Sequence, residues 1–286
     1  MKNPPPLRST TRIHSRTDEW LPATFDDFVA EIEGLKATAA IAKSLLLFRG
    51  HRRREWRLDS TFTRSIKQTL FGMDAANAFS ERMRNSGDLN LALSGLLLFK
   101  YGTMFEPSAE LKQVENDQGV DAWFELMKRH QQYQEEDATV LQGTNFLDWS
   151  QSSDVALFFA NEDRTENGAV FVCDATATGK TLQILPVVEI LNKVRAQLLQ
   201  NQGNGVPLLF SPPKQILNQR AKNQQAVYFS QMEMRLDMLE IWRLVESRKP
   251  GDIICIKIVL PKGTEREAQA YLESRRIDRS FIYPDA

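Results

Sequence analysis

The sequence predicts a mixed α+β domain, a small split β-sheet interleaved with helices and carrying a helical insertion. Three observations predict it. Four β-type runs, Leu45 to Phe48, Ala169 to Cys173, Gln225 to Phe229 and Ile253 to Leu260, are scattered among stretches of helical period. The segment from Thr61 to Gly119 is helical and irregular, with turn signals at Gly72, Gly87 and Pro107. No repeat or low-complexity linker divides the 286 residues. A chain of that length buries most of its apolar surface without covalent staples.

The elements follow in order. Residues 1–19 read as a flexible basic arm, with Lys2, Arg8, Arg12 and Arg16 around Pro4, Pro5 and Pro6. Residues 20–286 read as one domain with the insertion around 61–119. Thr24 precedes Phe25, Phe28, Val29, Ile32 and Leu35, a helix with Thr24 as N-cap and Asp27 at the third position. The apolar run from Ser44 to Phe48 ends in Arg49-Gly50-His51, a buried strand that delivers an arginine at its end. Trp123, Leu126, Met127 and His130 share one face of a helix over Val120 to Gln134. From Thr139 the pattern changes to loop or strand. Ser152 or Ser153 caps a helix over Val155 to Ala160, and Asn167-Gly168 is a turn. Pro186 opens another helix, with Val187, Ile190, Leu191, Val194 and Leu198 as its stripe, and 200–205 is a loop. Met238 to Val245 is helical. Thr264 and Glu267 read as a capping box for a helix ending near Arg276, and Phe281 to Ala286 as an extended tail.

Composition excludes several classes. Cys173 and Cys255 form no CxxC pair, so a disulfide scaffold and a four-cysteine zinc site are excluded; both read as buried free thiols. With 36 basic and 37 acidic residues, net charge gives no case for whole-chain nucleic-acid binding. The most apolar stretch, Leu89 to Phe99, is far short of the roughly 20 residues a bilayer requires. The N-terminus lacks the apolar core of a secretory signal, so the cytoplasm is the expected compartment. His14, His51 and His130 have no metal-ligand spacing, and P-loop, GxGxxG and GxSxG patterns are absent.

Three constellations carry candidate chemistry. In the first, five arginines and His51 fall between Arg49 and Arg57. Arginine suits bidentate phosphate contacts, and Gly50 would let a ligand approach the backbone. Arg49 directly follows a buried run, so its charge must be paired or face a ligand. In the second, Thr144, Asp148 and Ser150 flank large apolar residues before a capped helix. In the third, Arg220 to Glu233, the amides of Gln224 and Gln225 enter a short strand. Turn, capping and edge-strand roles account for the second and third as readily as ligand contacts do.

In this order the constellations resemble the FRG domain family, named for its Phe-Arg-Gly motif. The matching residues are Phe48-Arg49-Gly50, Trp56, Leu58 and Arg64, then His130, then Thr144, Leu147, Asp148, Trp149 and Ser150. Val155 to Ala160, Gly168 to Cys173, Arg220, Gln224 and Tyr228 follow, and Tyr283-Pro284-Asp285 closes the set. Asn145-Phe146 departs from the family's Arg-Leu, and Ala226 stands where glycine is common. The family in turn looks like a distant branch of the ADP-ribosyltransferases. That resemblance implies an ADP-ribosyltransferase-like split sheet and an enzyme using NAD as ADP-ribose donor, without metal. It implies a macromolecular acceptor, protein or nucleic acid, and the setting of a bacterial toxin or phage-defence effector with an antitoxin or chaperone partner. Arg49, Gly50, His51, Thr144 and Asp148 would bind the dinucleotide. Ser150 would be catalytic, and either Gln224 or Gln225, or in a rival alignment Glu233, would fill the third motif position. A non-enzymatic module binding nucleotide, RNA or a protein partner is the alternative.

Overall fold

Strand pairing sets the architecture of the computed structural model, which describes residues 19–104, 142–176, 208–210, 219–231, 233–246 and 253–284. Its strands are β1 (Glu19–Trp20), β2 (Leu46–His51), β3 (Phe146–Ser150), β4 (Gly168–Asp174), β5 (Leu208–Phe210), β6 (Ala226–Ser230) and β7 (Cys255–Leu260). Its helices are α1 (Phe25–Ala42), α2 (Thr61–Phe71), α3 (Glu81–Arg84), α4 (Gly87–Met104), α5 (Ser153–Asn161), α6 (Gln219–Asn223), α7 (Met238–Glu246), α8 (Glu265–Ser274) and α9 (Arg279–Ile282). The fold is mixed α+β. The strands form one sheet in the order β1-β7-β4-β2-β3-β6-β5, antiparallel except where β1 meets β7.

The sheet is split. β2 pairs with β4 along its whole length, from Leu46 opposite Asp174 to His51 opposite Ala169. β3 pairs with β6 over all five residues. Between β2 and β3 the register is a single pair, Phe48 opposite Ser150. Beyond it Arg49, Gly50 and His51 diverge from Trp149 and Asp148, and the fork between them opens a cleft.

Alternation along the strands builds a core on each face. On one face Leu46, Phe48, Val170, Val172, Ile256, Ile258 and Leu260 pack under α1, α5, α8 and α9. On the other Leu47, Leu147, Trp149, Phe171, Val227 and Phe229 pack against Met238 and Trp242 of α7. Trp149, Phe229 and Trp242 meet edge to face, with ring centroids 5.2–5.7 Å apart.

Local chemistry fixes the helix ends. Thr24 and Asp27 form the expected reciprocal cap of α1. Ser152 caps α5 by accepting from the Val155 amide. The capping box expected at Thr264 does not form. The Thr264 hydroxyl donates to the Pro261 carbonyl at 2.7 Å and accepts from Arg164 at 3.1 Å, because that buried guanidinium needs acceptors. Residues 281–282, expected in an extended tail, instead end α9, which Asp278 caps, and Ile282 enters the core. Each of the four expected runs supplies a strand, with Leu45, Gln225, Ile253 and Ile254 falling just before the strand starts, and the sheet also recruits β1, β3 and β5. The basic arm through residue 18, the helix carrying His130, the Pro186 helix, the loop 200–205 and the insertion beyond residue 104 lie outside the described residues. No helix of the described residues is long and apolar enough to cross a membrane.

Candidate functional site

The fork between β2 and β3 opens into a cleft of about 910 Å³. Its walls come from the end of β2, the first and last turns of α2, the cleft side of β3, α5 and α6. Arg49, Gly50, His51, Asp148, Ser150 and Gln224 line it together with Trp56, Arg64, Glu162 and Arg220. Thr144, Gln225 and Glu233 do not line it.

Arg49 reaches across the fork. Its Nη1 donates to the Asp148 carbonyl, and its Nε donates to His51 Nε2 at 3.1 Å. It thus ties the splayed strands together by backbone contact, not through the Asp148 carboxylate. Desolvation pulls the Arg49 guanidinium down to about 10, opposed by Asp148 and reinforced by the charge of Arg64. It stays protonated at neutral pH.

His51 accepts from the Arg49 Nε. It is buried against Phe171 and Trp56. Burial, then the charges of Arg49 and Arg64, hold its pKa well below the usual histidine value. The neutral ring accepts from Arg49 at Nε2, so its proton resides on Nδ1, 3.4 Å from the Trp56 carbonyl. Gly50 serves packing. A Cβ there would lie 1.9 Å from the Ala156 carbonyl oxygen and 2.7 Å from the Ala160 nitrogen, both backbone of α5. The Cβ direction of Gly50 thus meets a helix, while its backbone also lines the cleft, as the expected ligand approach requires.

The second constellation divides. Asp148 is exposed at the midpoint of β3 and faces the cleft. Ser150 is nearly buried, and its hydroxyl donates to the Gln224 carbonyl at 2.7 Å and accepts from Ser152 N–H at 2.9 Å. It staples β3 to the entry of β6. Thr144 is fully buried outside the cleft, its carbonyl accepting from Phe62 N–H at 3.2 Å.

The third constellation presents no carboxylate to the cleft. The Gln224 side chain donates to the Ile282 carbonyl at 3.1 Å. Gln225 is exposed with a φ of 44°, a left-handed turn before β6, where a strand residue was expected. Glu233 is buried and holds Arg235 by two contacts, at 2.8 and 2.7 Å. Arg235 in turn donates to the Ser86 carbonyl. The neighbouring Gln231 is consumed as well, accepting from Ser60 N–H and the Thr63 hydroxyl and donating to Asp59 and the Leu236 carbonyl. These bonds hold the first turn of α2, which carries Arg64, against the sheet.

Arg64 completes the site. It donates to the Asp59 carbonyl at 3.2 Å and the Thr61 hydroxyl at 3.1 Å. Desolvation lowers its pKa, opposed by Asp59 and Asp148. The contrast with other arginines is informative. Arg54 pairs with Glu19, Arg57 with Asp237 and Glu240, Arg235 with Glu233 and Arg243 with Glu246. Among the described residues, Arg49, Arg64 and Arg220 form no ion pair, and all three line the cleft. Arg52 and Arg53 are exposed near the Trp56 ring at the rim. Two desolvated like charges beside one carboxylate make a site that an anion stabilises. Among the described residues no cluster of three or more histidines, cysteines or carboxylates is placed to hold a metal ion.

Arg64 and Arg220 match the family pattern without an assigned site role, and Glu162 was not singled out at all. Thr61, Arg64 and Gln68 recur at i, i+3 and i+7, opposite Phe62 and Ile66 on α2, and that polar stripe was the available signal. Among protein families, residues 44–168 match the FRG domain. Neither curated proteins nor solved structures give a match to the chain.

Proposed function

Because residues 44–168 form an FRG domain, we propose that the cleft binds a dinucleotide of the NAD class and that the protein transfers ADP-ribose to a macromolecular acceptor. The observation that carries this reading is the Arg49–Arg64 pair, two desolvated guanidiniums without ion-pair partners among the described residues, at the floor of a forked sheet. Arginine forks match phosphate oxygens in charge and geometry. A cleft of about 910 Å³ suits a ligand of that size. The fork at Phe48 and Ser150 supports an ADP-ribosyltransferase-like fold.

In this reading Arg49 and Arg64 hold the pyrophosphate, and His51 fixes the Arg49 fork by accepting its Nε proton. NAD supplies a nicotinamide–ribose bond whose cleavage passes through an oxocarbenium-like state, as glycoside cleavage does. Asp148 is the carboxylate beside Arg49 and the group suited to stabilise that positive charge. Ser150 shapes the floor through the Gln224 carbonyl.

A second reading, a nucleotide-binding module without catalysis, is favoured by one observation. Glu233 is spent on Arg235 outside the cleft, and Gln224 and Gln225 are amides, so none of the three third-motif candidates offers a carboxylate to the cleft. Nicotinamide release from NAD, with and without cell lysate as acceptor source, decides between the two. Release that Asp148→Asn abolishes supports transfer. Binding without release supports the module.

A further inference from the structure

The cleft has a second basic pole. Arg220, on α6, lines it with Gln224 one helical turn along. Its guanidinium lies over the Tyr283 ring, 4.9 Å from the centroid. Its Nε is buried with no hydrogen-bond partner among the described residues. Leaving a guanidinium N–H unmatched costs free energy, which a nearby anion offsets. Stacking on an aromatic face holds the planar fork in one orientation.

The pole has its own support: whereas Arg49 is held by His51 and the Asp148 carbonyl, Arg220 stacks on Tyr283 of the C-terminal turn. Glu162 is the acidic group beside it, and its carboxylate is already engaged. It accepts from the Tyr283 hydroxyl at 3.0 Å and meets Arg279 at 3.5 Å. The C-terminal turn is fastened here by Asn223 to the Phe281 carbonyl at 2.6 Å and by Gln224 to Ile282. These bonds hold the turn that carries Tyr283 against α6.

We infer that Arg220, set by Tyr283, is a second anion-binding residue of the cleft, and that the dinucleotide accepted there carries an extra ribose phosphate, NADP in preference to NAD. This rests on the dinucleotide reading above. A pyrophosphate alone occupies the Arg49–Arg64 pole. A third phosphate at a distance from it engages Arg220 as well.

The test is calorimetric titration of the full chain with NAD and with NADP, for wild type, Arg220→Ala, Arg220→Lys and Arg49→Ala. Thermal melting serves as the folding control. Wild type should bind NADP about tenfold or more tightly than NAD, the range of one charge-assisted hydrogen bond. That ratio should collapse towards unity in Arg220→Ala and be intermediate in Arg220→Lys, which keeps the charge but loses the fork. Arg49→Ala should weaken both ligands and keep the ratio. Equal wild-type affinities, or an NADP preference that survives Arg220→Ala, overturns this inference alone. Absence of binding by either dinucleotide to wild type overturns the parent reading, and this one with it. Should Arg220→Ala fail to fold, the wild-type ratio and Arg220→Lys decide.

Discussion

Replacing Gly50 by alanine separates packing from ligand approach, because the two roles predict loss of different properties. The new Cβ would stand 1.9 Å from the Ala156 carbonyl oxygen, 2.9 Å from the Ala156 carbonyl carbon and 2.7 Å from the Ala160 nitrogen. All three atoms are helix backbone and cannot rotate away. Restoring even a 3.0 Å contact requires α5 to retreat by about 1.1 Å. That retreat opens the core where Val155, Ala156 and Ala160 meet β2. Overpacking of this kind costs about 1–3 kcal/mol, with backbone contacts at the upper end. In a protein of this size each kcal/mol lowers the melting midpoint by about 2–4 °C. The assay is urea unfolding followed by circular dichroism, paired with ligand titration below the transition. A midpoint equal to wild type with ligand affinity lost would refute the packing argument and leave ligand approach as the role of Gly50.

Three further outcomes follow from the same geometry. Glu233→Gln should lower stability by about 3 kcal/mol, since it strands the largely buried Arg235, yet leave nicotinamide release intact; lost release at unchanged stability would return Glu233 to the reaction. Gln231→Ala should destabilise by about 1–3 kcal/mol for each buried group it leaves unsatisfied, and Gln231→Glu by more, because a second carboxylate would face Asp59; denaturant midpoints measure both. Burial, opposed by Arg57 and helped by Asp59 and Glu240, pushes the Asp237 carboxyl up to about 6 from 3.8. The folded chain then holds the extra proton between those values, so this group's contribution to stability declines as pH rises from about 4 to about 6 and is level above; urea midpoints at about pH 5 and pH 7 should differ less in Asp237→Asn than in wild type.

Runs that are apolar on both faces were the legible part of the fold. Val170, Phe171, Val172 and Cys173 are all buried, as are Ile256, Ile258 and Val259, and such segments declare themselves by composition. β3 was half-legible because Asp148 and Ser150 interrupt its apolar pattern, and those interruptions mark the cleft. β1 and β5 are two and three residues long, too short to show a period. The Thr264 cap misled because the competing partner, Arg164, is 100 residues away. Arg49 was readable as a charge following a buried run. Gln224 was not, since its partner Ile282 becomes a neighbour only when the chain closes through α9, and Glu233 was not because its partner Arg235, two residues on, is itself held to the distant Ser86 carbonyl. Motif order located the cleft, while the fates of Ser150, Gln224 and Gln231 depended on contacts distant in sequence.

In the proposed function Arg49 and Arg64 form the anion-binding floor of the cleft. Titration of NAD into wild type, Arg49→Ala, Arg64→Ala and Arg53→Ala tests it most directly. Circular dichroism and thermal melting verify that each variant folds. Loss of one charge-assisted hydrogen bond, roughly 1.5–3 kcal/mol, should weaken binding about tenfold to a hundredfold in Arg49→Ala and in Arg64→Ala. Arg53, exposed at the rim beside Trp56, should be replaceable at wild-type affinity. Arg49→Lys should also bind weakly, because an ammonium lacks the planar fork that spans the Asp148 carbonyl and His51. Wild-type affinity in folded Arg49→Ala and Arg64→Ala would contradict the account.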